Sequence, residues 1–239
     1  MKTTLLVLLA LSAAPLLAAD GAAILARVDH YRAPLESFAI DVEIVSRTKQ
    51  KSETSRFRVY GSGSDRSLVE FTFPQGEKGK RLLMLRDAMW IYMPAASRPI
   101  RISPLQRLMG QASNGDVART SFAVDYEVRS AADEEWEGKK TTVLDLEAKD
   151  SGVAYHRVRL WVDRSTSEPL RADFYVASGK LIKRAFYREM GQMAGRRVPI
   201  VVEIEDLLRP GDGTTMRYSN LVARDNPEKM FSKDSLGKW

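Results

Sequence analysis

The 239-residue chain contains no cysteine. Disulfides, thiolate metal ligands and a cysteine nucleophile are therefore excluded. A bacterial lipoprotein carries its lipid on a cysteine at its processed N-terminus, so we expect a secreted protein without a lipid anchor of its own. No apolar run reaches the ~18 residues that indicate a membrane-spanning helix, and no membrane span is expected.

Histidine is also scarce. The chain has only His30 and His156, and neither belongs to an HExxH or HxH pattern, so the sequence predicts no metal site and no cofactor. Ser113 lacks the G-x-S-x-G context of a hydrolase nucleophile. Alternating carboxylates such as Glu203 and Glu205 are typical of the solvated face of a strand. We therefore expect no catalytic residues and no enzymatic activity.

Neither sign of charge dominates the chain. The 37 Lys and Arg residues exceed the 31 Asp and Glu residues, which gives a formal net charge of +6. The basic residues are interspersed with acidic ones, a pattern that is not typical of a nucleic-acid-binding surface. The composition favours a charged soluble surface and leaves a transient contact with anionic membranes open.

The first 19 residues have the features of a secretion signal. Lys2 supplies a positive charge, Leu5–Leu17 is apolar, and Ala18 and Ala19 are the small residues that a signal peptidase requires. We expect a signal peptide over residues 1–19, a single domain over residues 20–239, and a periplasmic location.

The predicted domain begins with a helix and continues as an antiparallel meander. Ile24, Val28 and Tyr31 recur at helical spacing within residues 21–32, and Pro34 follows them. From Ser37 onward the hydrophobic period changes to two, and short turns containing Gly or Pro separate successive strands. The spacing predicts about eleven strands.

A consecutive antiparallel sheet of this size is expected to curl, because open twisted sheets rarely stay flat beyond ~10 strands. One face of the predicted strands is apolar throughout, and few helical segments are available to cover it. The predicted fold is therefore mainly β, a strongly curved, incompletely closed antiparallel β-barrel with a helical lid. Side chains do not easily fill such a shape, so we expect a hydrophobic cavity of lipid size.

One stretch interrupts the meander. Residues 89–93 are typical of an apolar strand, and a second short strand follows. Ser103, Pro104 and Gly110 then suit the cap, the first turn and the end of a short helix. Because a helix of ~6 residues is not stable alone, we predict that it lies on the sheet as a lid.

The candidate ligand-binding residues are apolar side chains of this lid and of nearby strands. They are Trp90, Ile91, Met93, Leu105, Leu108, Met109, Phe71 and Phe73. Leu105, Leu108 and Met109 have the i, i+3, i+4 spacing of one helix face. The same residues are equally typical of an ordinary core, and the sequence leaves both interpretations open.

Several short motifs follow one another in a definite order along the chain. The first group is Trp90-x-Tyr92-x-Pro94, Arg98-x-Ile100-Arg101-Ile102-Ser103 and Gly115-Asp116. The second group is Trp161-Val162-Asp163, Pro169-Leu170, Asn220-Leu221, Phe231-Ser232 and Leu236. In this order the motifs resemble the outer-membrane lipoprotein-sorting family of LolA and LolB carriers. The similarity extends over nearly the whole of residues 20–239.

This resemblance implies a curved sheet with helices over an apolar interior. It implies a periplasmic protein that binds the acyl chains of a lipoprotein or lipid and moves them toward the outer membrane without catalysis. The partners it implies are those acyl chains and an inner-membrane exporter complex, and we expect a monomer.

The chain departs from the family in two respects. The LolA chaperone is shorter, and the strand arginine that latches its lid corresponds here to either Arg56 or Arg58, a choice that the sequence leaves open. LolB is lipid-anchored, and the missing cysteine argues against that role. A second interpretation is a periplasmic sensor of the RseB type that detects lipid or lipoprotein.

Overall fold

The computed structural model describes residues 14–32, 35–86, 88–96, 98–118, 121–208, 211 and 213–238. Most of the predicted signal peptide lies outside these residues, as does Pro34, which was expected to end the first helix.

The first helix, α1, is Ala14–Arg32. The predicted helix over residues 21–32 is confirmed, and the observed helix begins earlier. Gly21, Leu25 and Val28 are buried on one side of it, as the helical spacing of its apolar residues requires. The helix therefore lies against the rest of the protein along one face.

Two short α-helices and three one-turn 3₁₀ helices complete the helical structure of the described residues. They are α2 (Asn114–Ala118), α3 (Phe122–Asp125) and the 3₁₀ turns Gln75–Glu77, Glu228–Phe231 and Lys233–Ser235.

The described part of the chain contains fifteen β-strands. They are β1 (Ser37–Arg47), β2 (Ser52–Ser62), β3 (Arg66–Phe73), β4 (Arg81–Leu85), β5 (Ala88–Tyr92), β6 (Ile100–Ile102), β7 (Arg107–Met109), β8 (Ala112–Ser113), β9 (Tyr126–Trp136), β10 (Lys139–Ala148), β11 (Arg157–Asp163), β12 (Pro169–Tyr175), β13 (Leu181–Met193), β14 (Arg196–Asp206) and β15 (Gly213–Ala223). The number exceeds the prediction partly because β7 and β8, which replace the predicted helix, have only 3 and 2 residues. Strands this short show no hydrophobic period.

Thirteen strands form one antiparallel sheet in the order β6-β5-β4-β3-β2-β1-β15-β14-β13-β12-β11-β10-β9. Two meanders, β1 to β6 and β9 to β15, are thus joined where β1 pairs with β15. β6 and β9 stand at opposite ends of this order and are not paired with each other. The predicted incompletely closed, mainly β antiparallel fold is confirmed.

The sheet curls around its apolar face. The Ser67 hydroxyl on β3 donates to the Ala118 carbonyl at 2.7 Å, and the Lys183 ammonium on β13 donates to Asp116 at 2.6 Å. In a flat sheet these two strands would stand ~24 Å apart, at ~4.8 Å per strand. Both nevertheless contact α2, whose 5 residues span only ~8 Å, so the sheet must be strongly curved.

The largest core lies on the inner face of this curve, and both meanders and all three α-helices contribute to it. A smaller cluster lies on the outer face, where Met230, Phe231 and Leu236 near the C-terminus pack against Leu68 and Leu83. Because adjacent residues of a strand point to opposite faces, β3 and β4 are covered by apolar side chains on both sides.

The predicted lid helix after Ser103 is wrong. β7 and β8 form a two-stranded hairpin in its place. Gly110 at the turn has a φ of 55°, which suits a tight hairpin, and a Cβ atom there would lie 2.5 Å from Ser46 Oγ. Packing of this turn against β1 outweighs the weak intrinsic stability of so short a helix. The helices that cover the inner face are α1, α2 and α3.

Candidate functional site

A cavity of about 120 Å³ lies between the inner face of the sheet and the three helices. Its lining is mainly apolar. The apolar lining residues include Phe38, Ile40, Val42, Val59, Val117, Phe122, Phe174, Val202, Ile204, Met216 and Leu221. The polar lining residues are Tyr31, Arg32, Asp116, Ser121, Asp125, Tyr126, Tyr155, Lys183, Tyr187 and Tyr218. The cavity is therefore an apolar space with a few polar groups on its wall, the usual composition of a small-molecule site.

Asp29 attaches α1 to α3. Its carboxylate accepts hydrogen bonds from the Ser121 hydroxyl at 2.5 Å and from the Phe122 and Ala123 amides, both at 2.7 Å. The amide groups at the start of a helix have no intrahelical acceptor, and a negative charge there is favourable. Asp29 thus caps α3 with a side chain from a different helix.

Other polar contacts fix the C-terminal half of α1. The Arg32 guanidinium lies 3.8 Å from the centre of the Phe122 ring and 4.0 Å from the Asp29 carboxylate. The Tyr31 hydroxyl donates to the Thr166 carbonyl at 2.8 Å, in the turn between β11 and β12. These contacts fix the end of α1 that lines the cavity.

A buried polar cluster attaches α2 to strand β13 of the sheet. The Lys183 ammonium donates to Asp116 Oδ2 and to the Tyr155 hydroxyl, both at 2.6 Å. Tyr155 in turn donates to Asp116 Oδ1 at 2.9 Å, and the Ser113 amide donates to Asp116 Oδ2 at 2.7 Å. Burial, followed by the Asp116 charge, raises the pKa of Tyr155 well above its usual value. The cluster is a hydrogen-bonded ion pair, as a buried charge requires.

The structure places the predicted strand residues on different surfaces. Phe71 is buried in the inner core with its ring 4.9 Å from that of Phe57, and Ile91 packs against the same core. Trp90 packs in the outer cluster beside the C-terminal segment. Phe73 is 42% exposed. The structure therefore brings only part of this set to the inner face.

The remaining predicted residues lie near the β7–β8 hairpin or beyond the end of β5. Leu108 and Met109 pack against the inner core, whereas Leu105 is 44% exposed. Met93 is half-buried and follows β5. None of the eight predicted side chains, all of them among the described residues, lines the cavity. Their contact with a ligand stays a prediction.

The two candidate latch arginines pair within the sheet. Arg56 donates to Glu43 at 2.9 Å and Arg58 to Asp41 at 2.7 Å, both on the adjacent strand β1. Arg32 of α1 stands over the Phe122 ring of α3.

Sequence reasoning missed the polar residues of the cavity, although one signal was present. On β13, Lys183, Ala185 and Tyr187 lie two residues apart and so share the face of the strand that lines the cavity. A lysine on an apolar face indicates a buried ion pair, but its partner, Asp116, is distant in sequence. Only the fold brings the two together.

Among the described residues, no group of three or more His, Asp or Glu side chains is placed to hold a metal ion. No helix in the same part of the chain has both the length and the hydropathy of a membrane-spanning segment.

A LolA superfamily protein of Nitrosomonas europaea is 36% identical to this chain, and the alignment covers 89% of this chain and 97% of that one with a TM-score of 0.84. The chain belongs to the LolA superfamily. Residues 63–238 of this chain match a family model that is described as an uncharacterized protein. No curated protein matches it.

Two further solved structures have the same fold. A DUF1329 family protein of Desulfovibrio piger is 24% identical, with 92% of this chain and 99% of that one covered and a TM-score of 0.79. A domain from Vibrio parahaemolyticus described as an outer membrane lipoprotein-sorting protein is 23% identical, with coverage of 92% and 100% and a TM-score of 0.77. The LolA-like fold of this chain thus recurs along almost the whole length of both neighbours.

Proposed function

We propose that this LolA superfamily protein is a non-enzymatic periplasmic carrier that binds the acyl chains of a lipoprotein or lipid and moves them toward the outer membrane. The observation that supports the proposal is the apolar cavity between the curved sheet and its helical cover. Superfamily membership supports the periplasmic location and the direction of transport, and an inner-membrane exporter is a proposed partner. The described residues show no feature that favours the alternative RseB-type sensor.

Binding of an acyl chain requires the cover to move. A cavity of about 120 Å³ is smaller than the ~150 Å³ apolar cavity known to admit benzene and well below the ~300–1,000 Å³ of typical ligand pockets. The element that can enlarge it is α1, since Tyr31 and Arg32 of this helix line the cavity and Leu25 and Val28 occupy the inner core.

The free energy gained by burying an acyl chain is partly offset by the contacts that α1 loses, which favours reversible binding. Burying a methylene contributes ~0.8 kcal/mol, so a sixteen-carbon chain gains on the order of 12 kcal/mol gross. Lifting α1 exposes Leu25 and Val28, each worth ~1.5–3 kcal/mol when buried, and breaks the Asp29 hydrogen bonds. The ligand thus replaces the apolar contacts that α1 loses, and a partner that recaptures the chain allows α1 to close.

A disulfide between α1 and β9 should prevent this opening. A Cβ atom at Gly21 would lie 3.5 Å from the Val128 Cβ atom, within the ~3.5–4.5 Å range of disulfides, and the chain has no other cysteine. We expect the oxidised Gly21→Cys/Val128→Cys variant to bind a fluorescent acyl-chain analogue at least ~10-fold more weakly than its reduced form, because the open state is removed. Fluorescence titration of the same sample before and after reduction measures the difference.

The matched controls are the single variants Gly21→Cys and Val128→Cys under the same oxidising conditions, which should bind as in the reduced double variant. Equal binding by the oxidised and reduced double variants, with disulfide formation verified by mass, would exclude α1 as the moving cover.

A further inference from the structure

Two tyrosine side chains of the sheet belong to the wall of the cavity. Tyr187 on β13 and Tyr218 on β15 both line it. Among the described residues, Tyr187 makes no hydrogen bond through its hydroxyl, and the hydroxyl of Tyr218 reaches only the Met216 sulfur at 4.0 Å. A thioether is a weak acceptor, and hydroxyl groups inside proteins are generally hydrogen-bonded. Both hydroxyls are therefore donors available to a ligand in the cavity.

Both tyrosines stay protonated at neutral pH. Burial raises the pKa of Tyr187, and burial followed by the neighbouring Tyr187 raises the pKa of Tyr218. Each side chain thus presents a neutral O–H group, which can donate to an ester, carbonyl or alcohol oxygen.

The charges on the cavity wall already balance. Arg32 and Lys183 line it together with Asp116 and Asp125. Lys183 is 2.6 Å from Asp116, and Arg32 is 4.0 Å from Asp29. A carboxylate or phosphate entering this space would add an uncompensated charge to a largely apolar site, which is costly. The wall therefore disfavours an anionic ligand head.

We propose that the cavity selects amphiphiles whose head is uncharged and accepts hydrogen bonds, such as glycerol esters, and that Tyr187 and Tyr218 donate to the head oxygens. This inference rests on the proposed carrier function and specifies the ligand class. The two tyrosines belong to the sheet, so they keep their positions when α1 moves.

Competition with an apolar fluorescent reporter tests the selection. N-phenylnaphthylamine is bound to the full domain and displaced by dipalmitoylglycerol, palmitate or phosphatidylglycerol. We expect dipalmitoylglycerol to compete at the lowest concentration. In the Tyr187→Phe/Tyr218→Phe variant its competition constant should rise about 10-fold, the effect of losing two modest hydrogen bonds, while the constant for palmitate changes less than about 2-fold.

Tyr92→Phe is the matched control, because Tyr92 packs in the outer cluster, and it should leave all three constants unchanged. Stronger competition by palmitate or phosphatidylglycerol in the unmodified protein would overturn the inference, as would an equal shift of all ligands in the double variant. In both cases the carrier function would stand, because a ligand is still bound. If neither the reporter nor any amphiphile binds, the carrier function and this inference both fail.

Discussion

Replacement of Lys183 by methionine is expected to lower the free energy of unfolding by ~3–5 kcal/mol. Methionine keeps most of the side-chain volume but leaves the Asp116 carboxylate without its cation, in a pair whose side chains are only 9% and 11% exposed. Removing one partner of a buried ion pair leaves an uncompensated charge. Urea denaturation followed by tryptophan fluorescence gives the change directly.

A double-mutant cycle separates the ion pair from the packing. Asp116→Asn removes the charge and keeps an acceptor, so the Lys183→Met/Asp116→Asn variant should be more stable than the sum of the single effects predicts. Lys51→Met is the matched control. Lys51 pairs with Glu53, and their side chains are 63% and 54% exposed. Because such exposed pairs contribute ~0–1 kcal/mol to stability, this variant should lose no more than that. A loss below ~1 kcal/mol for Lys183→Met would show that the Lys183–Asp116 pair contributes no more than an exposed ion pair.

Replacement of Asp29 by alanine is expected to have two separate effects. It removes the acceptor for the Ser121 hydroxyl and for the Phe122 and Ala123 amides, at a cost of ~2–4 kcal/mol. For a chain of this length that lowers Tm by roughly 5–15 °C. Because the same contacts hold α1 closed, the rate at which an apolar fluorescent reporter enters the cavity should rise, measured by stopped-flow fluorescence.

Two variants of the same helix are suitable controls. Asp29→Asn keeps an acceptor oxygen and should retain part of the stability and most of the slow entry. Asp20→Ala changes an exposed acidic residue of α1. It should change the free energy of unfolding by no more than ~0.5 kcal/mol and leave the rate of reporter entry unchanged within the factor that this free energy corresponds to. A lower Tm with an unchanged entry rate in Asp29→Ala would show that α1 does not control access.

The strands were predictable because their signal is local. Phe38, Ile40, Val42 and Ile44 alternate with Ala39, Asp41 and Glu43, and all of them lie in β1, with the apolar set in the inner core or lining the cavity. The superfamily was also recognisable, since its motifs are spread along the strands and turns in a fixed order. Neither inference requires knowledge of which strands are neighbours in the sheet.

The lid was not predictable from the residues that suggested it. Ser103, Pro104 and Gly110 have the composition of a helix with its cap and end, yet the Gln111 amide donates to the Thr214 hydroxyl at 2.8 Å, and the segment forms a hairpin. The partner stands 103 positions away in the chain. No pattern within the segment itself could report a contact of that kind.

Local sequence is sufficient for the period of each strand, the amphipathic first helix and the apolar inner face, since each depends on neighbours within a few residues. The curl of the sheet, the cover formed by α1 and the polar groups of the cavity depend on contacts between distant positions. Asp29 caps a helix 93 residues further on, and Lys183 meets Asp116 across 67 residues. Such pairs have no local signature, because they come within hydrogen-bonding distance only when the sheet curls around its core.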